Sequence, residues 1–177
     1  MSKQSDFKKY IRNIPDFPKK GIIFRDITTL IENKIAFKKA IDLMAKQFKN
    51  VKIDKVAGVE ARGFIFGGAI AYKLGVGFVP IRKKGKLPYK TKSISYSLEY
   101  GVDTLEIHED AIKKGERVLI IDDLLATGGT VKAVCDLIDS VGGKIIGIEF
   151  LIELVDLKGR QKLSKYPIVS FVEFEGE

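Results

Sequence analysis

Two adjacent acids in this sequence stand where an apolar run meets a loop of small residues. Residues 118–130 read VLIIDDLLATGGT, so Asp122 and Asp123 directly follow four apolar residues. Carboxylates in that position can accept hydrogen bonds from neighbouring sugar hydroxyls, and their charge lies where a ribosyl cation would form. The acid pair therefore predicts a ribose site.

The loop that follows the two acids has the composition of an anion site. Backbone N–H groups at the start of a helix are unpaired, and the helix dipole favours a phosphate there. Glycines allow close approach of the anion, and threonine hydroxyls add donors. The loop consists of Ala126, Thr127, Gly128, Gly129 and Thr130. Acids and loop together would hold both ends of a ribose 5-phosphate.

Two other interpretations compete for residues 118–130. An ordinary strand, turn and helix with exposed acids would need no ligand. The acidic strand end of a P-loop nucleotide-binding protein would look similar, but the chain nowhere contains the pattern G-x-x-x-x-G-K-[ST]. The P-loop interpretation is therefore excluded.

A second loop combines an acid with an arginine. Glu60, Ala61 and Arg62 follow the apolar run 56–59 and precede a helical stretch. The N–H groups of such a loop and the Arg62 guanidinium can hold a phosphate group. Without that context, an arginine at such a place is more often a surface residue.

The charge of the chain favours anionic ligands. The formal net charge is +8, which attracts polyanions at long range. Five basic residues gather in one loop: Lys83, Lys84, Lys86, Lys90 and Lys92. A DNA-reading protein would more often present a recognition helix, so we expect no nucleic-acid partner. A solvated surface remains the alternative interpretation of these lysines.

The predicted elements place these loops at one edge of a sheet. Apolar periodicity predicts helices over residues 35–48, 64–74 and 130–141, strands over 56–59, 77–81, 118–121, 144–154 and 168–174, a hairpin of 94–98 with 104–107, and a short helical piece at 158–163. The predicted strands are apolar throughout, without alternating polar residues, and they are interleaved with helices. This pattern predicts an α/β fold, with a mostly parallel central sheet flanked by helices on both faces. Ligands of such sheets bind at the carboxyl ends of the strands, so chemistry is expected after residues 59, 81 and 121.

The length of 177 residues predicts one domain, 1–177. No apolar run approaches the roughly 20 residues that span a bilayer, and residues 1–10 are too charged for a signal peptide. We therefore expect a cytoplasmic protein with no membrane partner. The single cysteine, Cys135, occupies an apolar position of a predicted helix and is expected to be buried without a chemical role.

Several segments resemble one known family. Residues 118–130 resemble the signature with which type I phosphoribosyltransferases bind phosphoribosyl pyrophosphate (PRPP). Four more stretches are similar to the adenine-using members of that family: residues 17–27 (FPKKGIIFRDI), 58–64 (GVEARGF), 81–88 (IRKKGKLP) and 95–101 (SYSLEYG). The resemblance covers about residues 17–159. It implies transfer of ribose 5-phosphate from PRPP to adenine, giving AMP and pyrophosphate.

The resemblance also implies an architecture. The family's α/β core carries a small hood over the base site, here about residues 1–34 with a flexible loop at about 83–99, and its members usually form homodimers. Mg²⁺ is implied as the cofactor, held through PRPP oxygens and water, with no dedicated protein metal site.

The resemblance assigns roles residue by residue. Asp122, Asp123 and the loop 126–130 would bind the ribose and the 5′-phosphate. Pyrophosphate would be bound by Glu60, Ala61, Arg62 and Lys86, and by Arg82, which would reach across the homodimer into the neighbouring site.

The base would lie between apolar side chains under the hood. Ile23, Phe24 and Leu124 resemble the slot that grips adenine, and the backbone of Arg25 would read the base edge. Core packing is the alternative interpretation of Ile23 and Phe24. Catalytic roles fall on four residues: Glu99, Tyr100, Arg62 and Lys86. Glu99 would move a proton at the base nitrogens.

Two other functions have to be distinguished from adenine transfer. A PRPP-sensing regulator with the same fold would need an appended nucleic-acid-binding element, for which there is no room before residue 17. A transferase for hypoxanthine, guanine or xanthine would share the PRPP site, but the segments with Phe24-Arg25 and Glu99-Tyr100 favour adenine. The fold alone would not separate these functions.

Overall fold

The computed structural model describes residues 5–97 and 101–176. Glu99 and Tyr100, which the sequence places in the hood, lie outside the described residues. Nine strands are described: β1 Arg12–Pro15, β2 Ile23–Asp26, β3 Lys55–Val59, β4 Gly77–Lys83, β5 Thr91–Ser97, β6 Val102–His108, β7 Arg117–Leu125, β8 Lys144–Leu154 and β9 Ile168–Phe174. The described α-helices are α1 Thr28–Glu32, α2 Lys34–Gln47, α3 Gly63–Leu74 and α4 Gly129–Ser140. Short 3-10 helices cover Ser5–Tyr10, Val155–Leu157 and Gly159–Leu163.

The central sheet has the order β5-β6-β4-β3-β7-β8-β9. The neighbours from β4 to β9 pair in parallel, whereas β4, β6 and β5 pair antiparallel. This confirms the mostly parallel sheet, to which the predicted hairpin adds an antiparallel edge. Strands β1 and β2 form a separate two-stranded antiparallel sheet.

Each face of the sheet supports its own apolar cluster. Leu119 and Ile121 of β7 pack with residues of α2 and α3, while Val118 and Ile120 pack with residues of α4. Consecutive side chains of a strand point to opposite faces, so a strand that is apolar throughout is covered on both sides. The helices on both faces are thereby confirmed. Cys135 is fully buried on the α4 side, as expected.

Strand β7 is longer than its apolar run predicted. It continues through Asp122 and Asp123 to Leu125, because β8 extends beside it and pairs Asp122 with Phe150 and Leu125 with Glu153. The two acids therefore belong to the strand, where the sequence placed them after it. Strand β4 likewise continues to Lys83, because Arg82 and Lys83 pair with β6.

The segment before α1 was not predicted as regular structure. Strands β1 and β2 have four residues each, too few for a periodic pattern. Asp26 at the end of β2 fixes the junction, since its carboxylate accepts from the Thr28 backbone N–H at 2.9 Å and from Arg12 Nε of β1 at 3.0 Å. In the described part of the chain, no helix has both the length and the apolarity needed to cross a membrane.

Candidate active site

A cavity of about 400 Å³ opens at the carboxyl ends of β3 and β7. It is lined by residues 59–62, which follow β3, and by residues 122–131, which run from the end of β7 into α4. Two loops that the sequence analysis selected separately thus form one site. The cavity brings together Glu60, Ala61, Arg62, Asp122, Asp123, Leu124, Ala126, Thr127, Gly128, Gly129 and Thr130.

The two loops meet because β3 and β7 are parallel neighbours, with Gly58 opposite Ile121. Helix α3 begins at Gly63, immediately behind the end of β7. A Cβ atom at position 63 would lie 2.8 Å from Asp122 Oδ1 and 3.1 Å from the Ile121 carbonyl oxygen. Only glycine therefore lets the start of α3 approach the acid pair this closely.

The acid pair is buried and carries one ion pair. Asp123 N–H donates to Asp122 Oδ1 at 2.9 Å, and Arg62 Nε lies 2.8 Å from Asp123 Oδ2, without the alignment of a hydrogen bond. Burial and the charge of Asp123 raise the pKa of Asp122 well above its ordinary value. Burial also raises the pKa of Asp123, and Arg62 opposes that rise. The two buried carboxyls therefore resist being ionised together, and a cationic or hydroxyl partner would stabilise their ionised form.

The small-residue loop has the geometry of a helix start. Gly128 precedes α4 with a φ of +77°, in the left-handed region, and its carbonyl accepts from the Lys132 N–H at 3.0 Å. The first N–H groups of a helix have no partner within the helix, so those at the start of α4 are suited to bind an anion. Thr130 Oγ1 lies 3.4 Å from the hydroxyl of Tyr96 in β5, which links the hairpin to this loop.

The Glu60 carboxylate accepts hydrogen bonds from three basic residues of β4 and the loop that follows it. It accepts from Lys86 Nζ at 2.5 Å, from the Lys83 backbone N–H at 3.0 Å and from Arg82 Nη2 at 3.3 Å. Burial raises the pKa of Glu60, but these hydrogen bonds outweigh it and lower the pKa to about 2. Lys86 and Arg82 therefore lie beside the loop predicted to bind pyrophosphate, within the same chain.

The predicted adenine residues are divided between the cavity lining and strand β2. Leu124 lines it, and Phe24 of β2 lies under the Arg62 guanidinium, with 5.2 Å from the guanidinium carbon to the ring centroid. Ile23 and Phe24 are only half-buried. The Arg25 side chain is engaged elsewhere, donating to Asn13 Oδ1 at 2.8 Å and lying 4.1 Å from the Phe174 ring centroid. The recognition of the base edge was predicted for the backbone of Arg25, and it stays a prediction.

Sequence reasoning missed residues that support the cavity from behind. Tyr96 contacts Thr130, and Gly159 contacts the backbone of residues 126–128. No periodic signal marks either residue, because each contact joins segments that are far apart in the chain. A glycine inside the predicted short helical piece 158–163 was the only local sign of Gly159.

Comparisons with known proteins agree with this geometry. A family described as the phosphoribosyl transferase domain matches residues 26–175, which contain both cavity-lining segments. With the mostly parallel sheet and the strand-end site, this places the chain in the type I phosphoribosyltransferase class.

Individual relatives narrow the class. An adenine phosphoribosyltransferase of Brachyspira hyodysenteriae is 60% identical over 169 residues, covering 96% of this chain and 99% of the relative. The crystal structure of adenine phosphoribosyltransferase from Thermoanaerobacter pseudethanolicus has a TM-score of 0.94 and 54% identity, covering 97% and 99% of the two chains. The Saccharomyces cerevisiae enzyme, solved with adenine and an imino-altritol bisphosphate, has a TM-score of 0.90 and 40% identity, covering 95% and 97%.

The chain belongs to the adenine phosphoribosyltransferase family. It transfers ribose 5-phosphate to adenine in purine salvage, and the activity predicted from the sequence is thereby confirmed.

Proposed function

We propose that the cavity at the ends of β3 and β7 binds PRPP and adenine and that the transfer takes place there. One observation carries this assignment: Asp122 and Asp123 share a cavity wall with the loop 126–130. The acids would accept hydrogen bonds from the ribose hydroxyls, and the N–H groups at the start of α4 would hold the 5′-phosphate.

Pyrophosphate belongs at the other wall in this proposal. Glu60, Ala61 and Arg62 line that wall, and Lys86 and Arg82 are held beside it by the Glu60 carboxylate. Charge-assisted hydrogen bonds from such cations would stabilise the leaving group as its negative charge grows. A reach of Arg82 into the neighbouring site of a homodimer remains a prediction from the family resemblance.

Adenine belongs between Leu124 and the Ile23-Phe24 segment. The S. cerevisiae relative was solved with adenine bound, which supports an adenine site in this fold. A backbone carbonyl at Arg25 that accepts from the 6-amino group, with an N–H that donates to the ring, would fit adenine and mismatch hypoxanthine. Glu99 and Tyr100 keep their proposed hood roles on the sequence resemblance.

The chemistry is a displacement at the anomeric carbon of the ribose. The bond to the pyrophosphate oxygen breaks and its electron pair leaves with pyrophosphate, while an adenine nitrogen forms the new bond to the same carbon. Glu99 would accept the proton that adenine loses. The transition state resembles a ribosyl cation, so the negative charge of the acid pair would stabilise it.

Mg²⁺ fits this site as a companion of PRPP. The donors at the cavity are hard carboxylate oxygens, of the kind that Mg²⁺ and its bound waters prefer. In residues 5–97 and 101–176, no group of three or more His, Cys, Asp or Glu could hold a metal ion. As the family resemblance implies, the ion would be held chiefly by PRPP oxygens and water, near Asp122 and Asp123. When bound, it would neutralise part of the pyrophosphate charge.

A homodimer is proposed through α3. Ile65 and Tyr72 lie on one face of this helix, 41% and 90% exposed, and a Cβ atom at Gly68 between them would meet open space. An apolar helix face of this kind is suited to a subunit contact.

The domain organisation and the location stay predictions from the sequence. The chain is predicted to form one domain, 1–177, with a hood formed by about 1–34 and 83–99, and to be cytoplasmic.

The proposal is tested by incubating the protein with PRPP, Mg²⁺ and each purine base in turn and identifying the nucleotide formed. AMP should form fastest, and it should no longer form at the wild-type rate after Asp122→Asn combined with Asp123→Asn. Wild-type turnover by that double variant would show that the transfer takes place elsewhere on the protein.

A further inference from the structure

The backbone at Gly159 packs directly behind the loop 126–130, which is proposed to bind the 5′-phosphate. We call this packed backbone the wall of the loop. A Cβ atom on Gly159 would lie 2.2 Å from the Ala126 carbonyl oxygen, and a Cβ atom on Gly128 would lie 2.6 Å from the Gly159 carbonyl oxygen. The two backbones are thus in direct contact, and a side chain at either glycine would push them apart. Gly159 is buried and is not one of the residues that line the cavity.

Arg160, the next residue, ties this wall to the central sheet. Its Nε donates to both carboxylate oxygens of Glu153 in β8, at 2.7 and 2.8 Å. Its Nη2 donates to Ser170 Oγ in β9 at 2.8 Å, and its Nη1 donates to the Ile168 carbonyl oxygen at 3.1 Å. The Ser170 hydroxyl in turn donates to Glu153 Oε2 at 2.6 Å. Because Glu153 and Ser170 are both buried, the planar guanidinium is fixed from two strands.

The chain on either side of Arg160 is also constrained. Lys158 has a φ of +53°, a conformation that a residue other than glycine keeps only when its surroundings hold it there. At the other end of the 3-10 helix, Leu163 is fully buried in the cluster under α4. The Arg160 contacts therefore determine where Gly159 stands between these two points.

We propose that Arg160 is a positioning residue for PRPP. Anchored on Glu153 and Ser170, it holds Gly159 against the backbone of Ala126 and Gly128 and so keeps the loop N–H groups directed at the 5′-phosphate. Arg160 touches no substrate in this role, which rests on the proposed assignment of loop 126–130 to that phosphate. A displacement of about 1 Å in a binding group can cost up to about 100-fold, so a loosened wall should have a measurable effect.

The test compares two ligands that differ only in the 5′-phosphate. Calorimetry measures AMP and adenosine binding to the wild type, Arg160→Ala and Gly159→Ala. We expect both variants to lose at least about tenfold of the preference for AMP and to raise KM for PRPP, while KM for adenine stays unchanged. Arg160→Lys keeps a charge for Glu153 and should recover part of the loss. Lys162→Ala, an exposed change on the same 3-10 helix, should behave as wild type.

The outcomes distinguish a failure of the positioning role of Arg160 from a failure of the 5′-phosphate assignment. If Arg160→Ala and Gly159→Ala keep the wild-type preference for AMP, the positioning role is wrong, even where the melting temperature falls. If the wild type itself binds AMP and adenosine equally, the 5′-phosphate assignment fails and the inference fails with it. Should Arg160→Ala not fold, Gly159→Ala and Arg160→Lys give the same decision.

Discussion

Arg62 Nε lies 2.8 Å from Asp123 Oδ2, and the same guanidinium lies over the ring of Phe24. One side chain thus joins three regions: the loop proposed for pyrophosphate, the acids proposed to bind the ribose, and the proposed base slot. Guanidinium is suited to this because it can pair with a carboxylate and stack on an aromatic ring at the same time.

The first prediction concerns the acid pair. Asp122→Asn and Asp123→Asn each remove a carboxyl group that faces the proposed ribose, with little change of shape. We expect kcat/KM for PRPP to fall by about 10²- to 10³-fold for at least one of them, because the charge acts on the forming cation. Steady-state kinetics with PRPP varied gives the answer, and the exposed change Asp110→Asn is the control. Wild-type kcat/KM in both variants would show that the two acids do not bind the ribose.

The second prediction separates one lysine from its neighbours in the basic loop. Lys86 Nζ is held by Glu60 beside the cavity, and Lys84, which is exposed like Lys86, has the same charge. A hydrogen bond to a charged group contributes about 1.5–3 kcal/mol, so Lys86→Ala should raise KM for PRPP by about 10-fold or more. Lys84→Ala should change it less than twofold. Equal effects would mean that the loop acts only through its net charge.

The third prediction concerns Glu99, whose role rests on the sequence. Glu99→Gln should lower kcat by about 10²- to 10⁴-fold, because adenine must lose a proton as the new bond forms. PRPP affinity, measured by direct binding, should stay within about twofold of wild type. Glu109→Gln, an exposed change in the same half of the chain, is the control. A defect confined to PRPP binding would assign Glu99 to loop structure instead.

The fourth prediction concerns stability and pH. Glu149 in β8 is fully buried, and neither carboxylate oxygen has a hydrogen-bond partner in the described part of the chain. Burial raises its pKa from 4.5 to about 9. The folded protein therefore keeps a proton that the unfolded chain releases above about pH 4.5, so this residue lowers the free energy of unfolding as the pH rises towards 9.

Glu149→Gln removes this titration with little change of shape. The stability of the variant relative to wild type should increase between pH 6 and pH 8, by up to about 1.4 kcal/mol per pH unit. Urea unfolding at both pH values measures the difference, and the exposed change Glu173→Gln on the adjacent strand should show no such trend. A pH-independent difference would mean that Glu149 is ionised or paired in the folded state.

Local patterns in the sequence were sufficient for the central sheet. Apolar runs with flanking helical periodicity gave β8 and β9 with the observed bounds, and each of the helices α2, α3 and α4 within one residue at either end. Burial on both faces leaves such strands no polar alternation, so the signal is strong. The loops at the ends of β3 and β7 could be selected because parallel strands present their carboxyl ends on one edge.

Features that depend on distant pairing were not predictable. The length of β7 past Asp122 is set by its extended partner strand β8. The hydrogen bonds of the Arg160 guanidinium depend on Glu153 and Ser170, which lie in two different strands. Likewise, nothing local shows that Gly63 must be small because Asp122 lies behind it. The residue types in the sequence indicate which side chains could bind or react. The contacts that position those side chains form only when the sheet is assembled.

The position of the acid pair inside β7 affects the thermodynamics of binding. Ladder pairing with β8 fixes the backbone at Asp122 during folding, so its conformational entropy is lost before any ligand arrives. A loop carrying the same acids would lose that entropy on binding, at a cost of about 1–2 kcal/mol for each residue ordered. The proposed ribose recognition is therefore preorganised, and its affinity should depend little on loop dynamics.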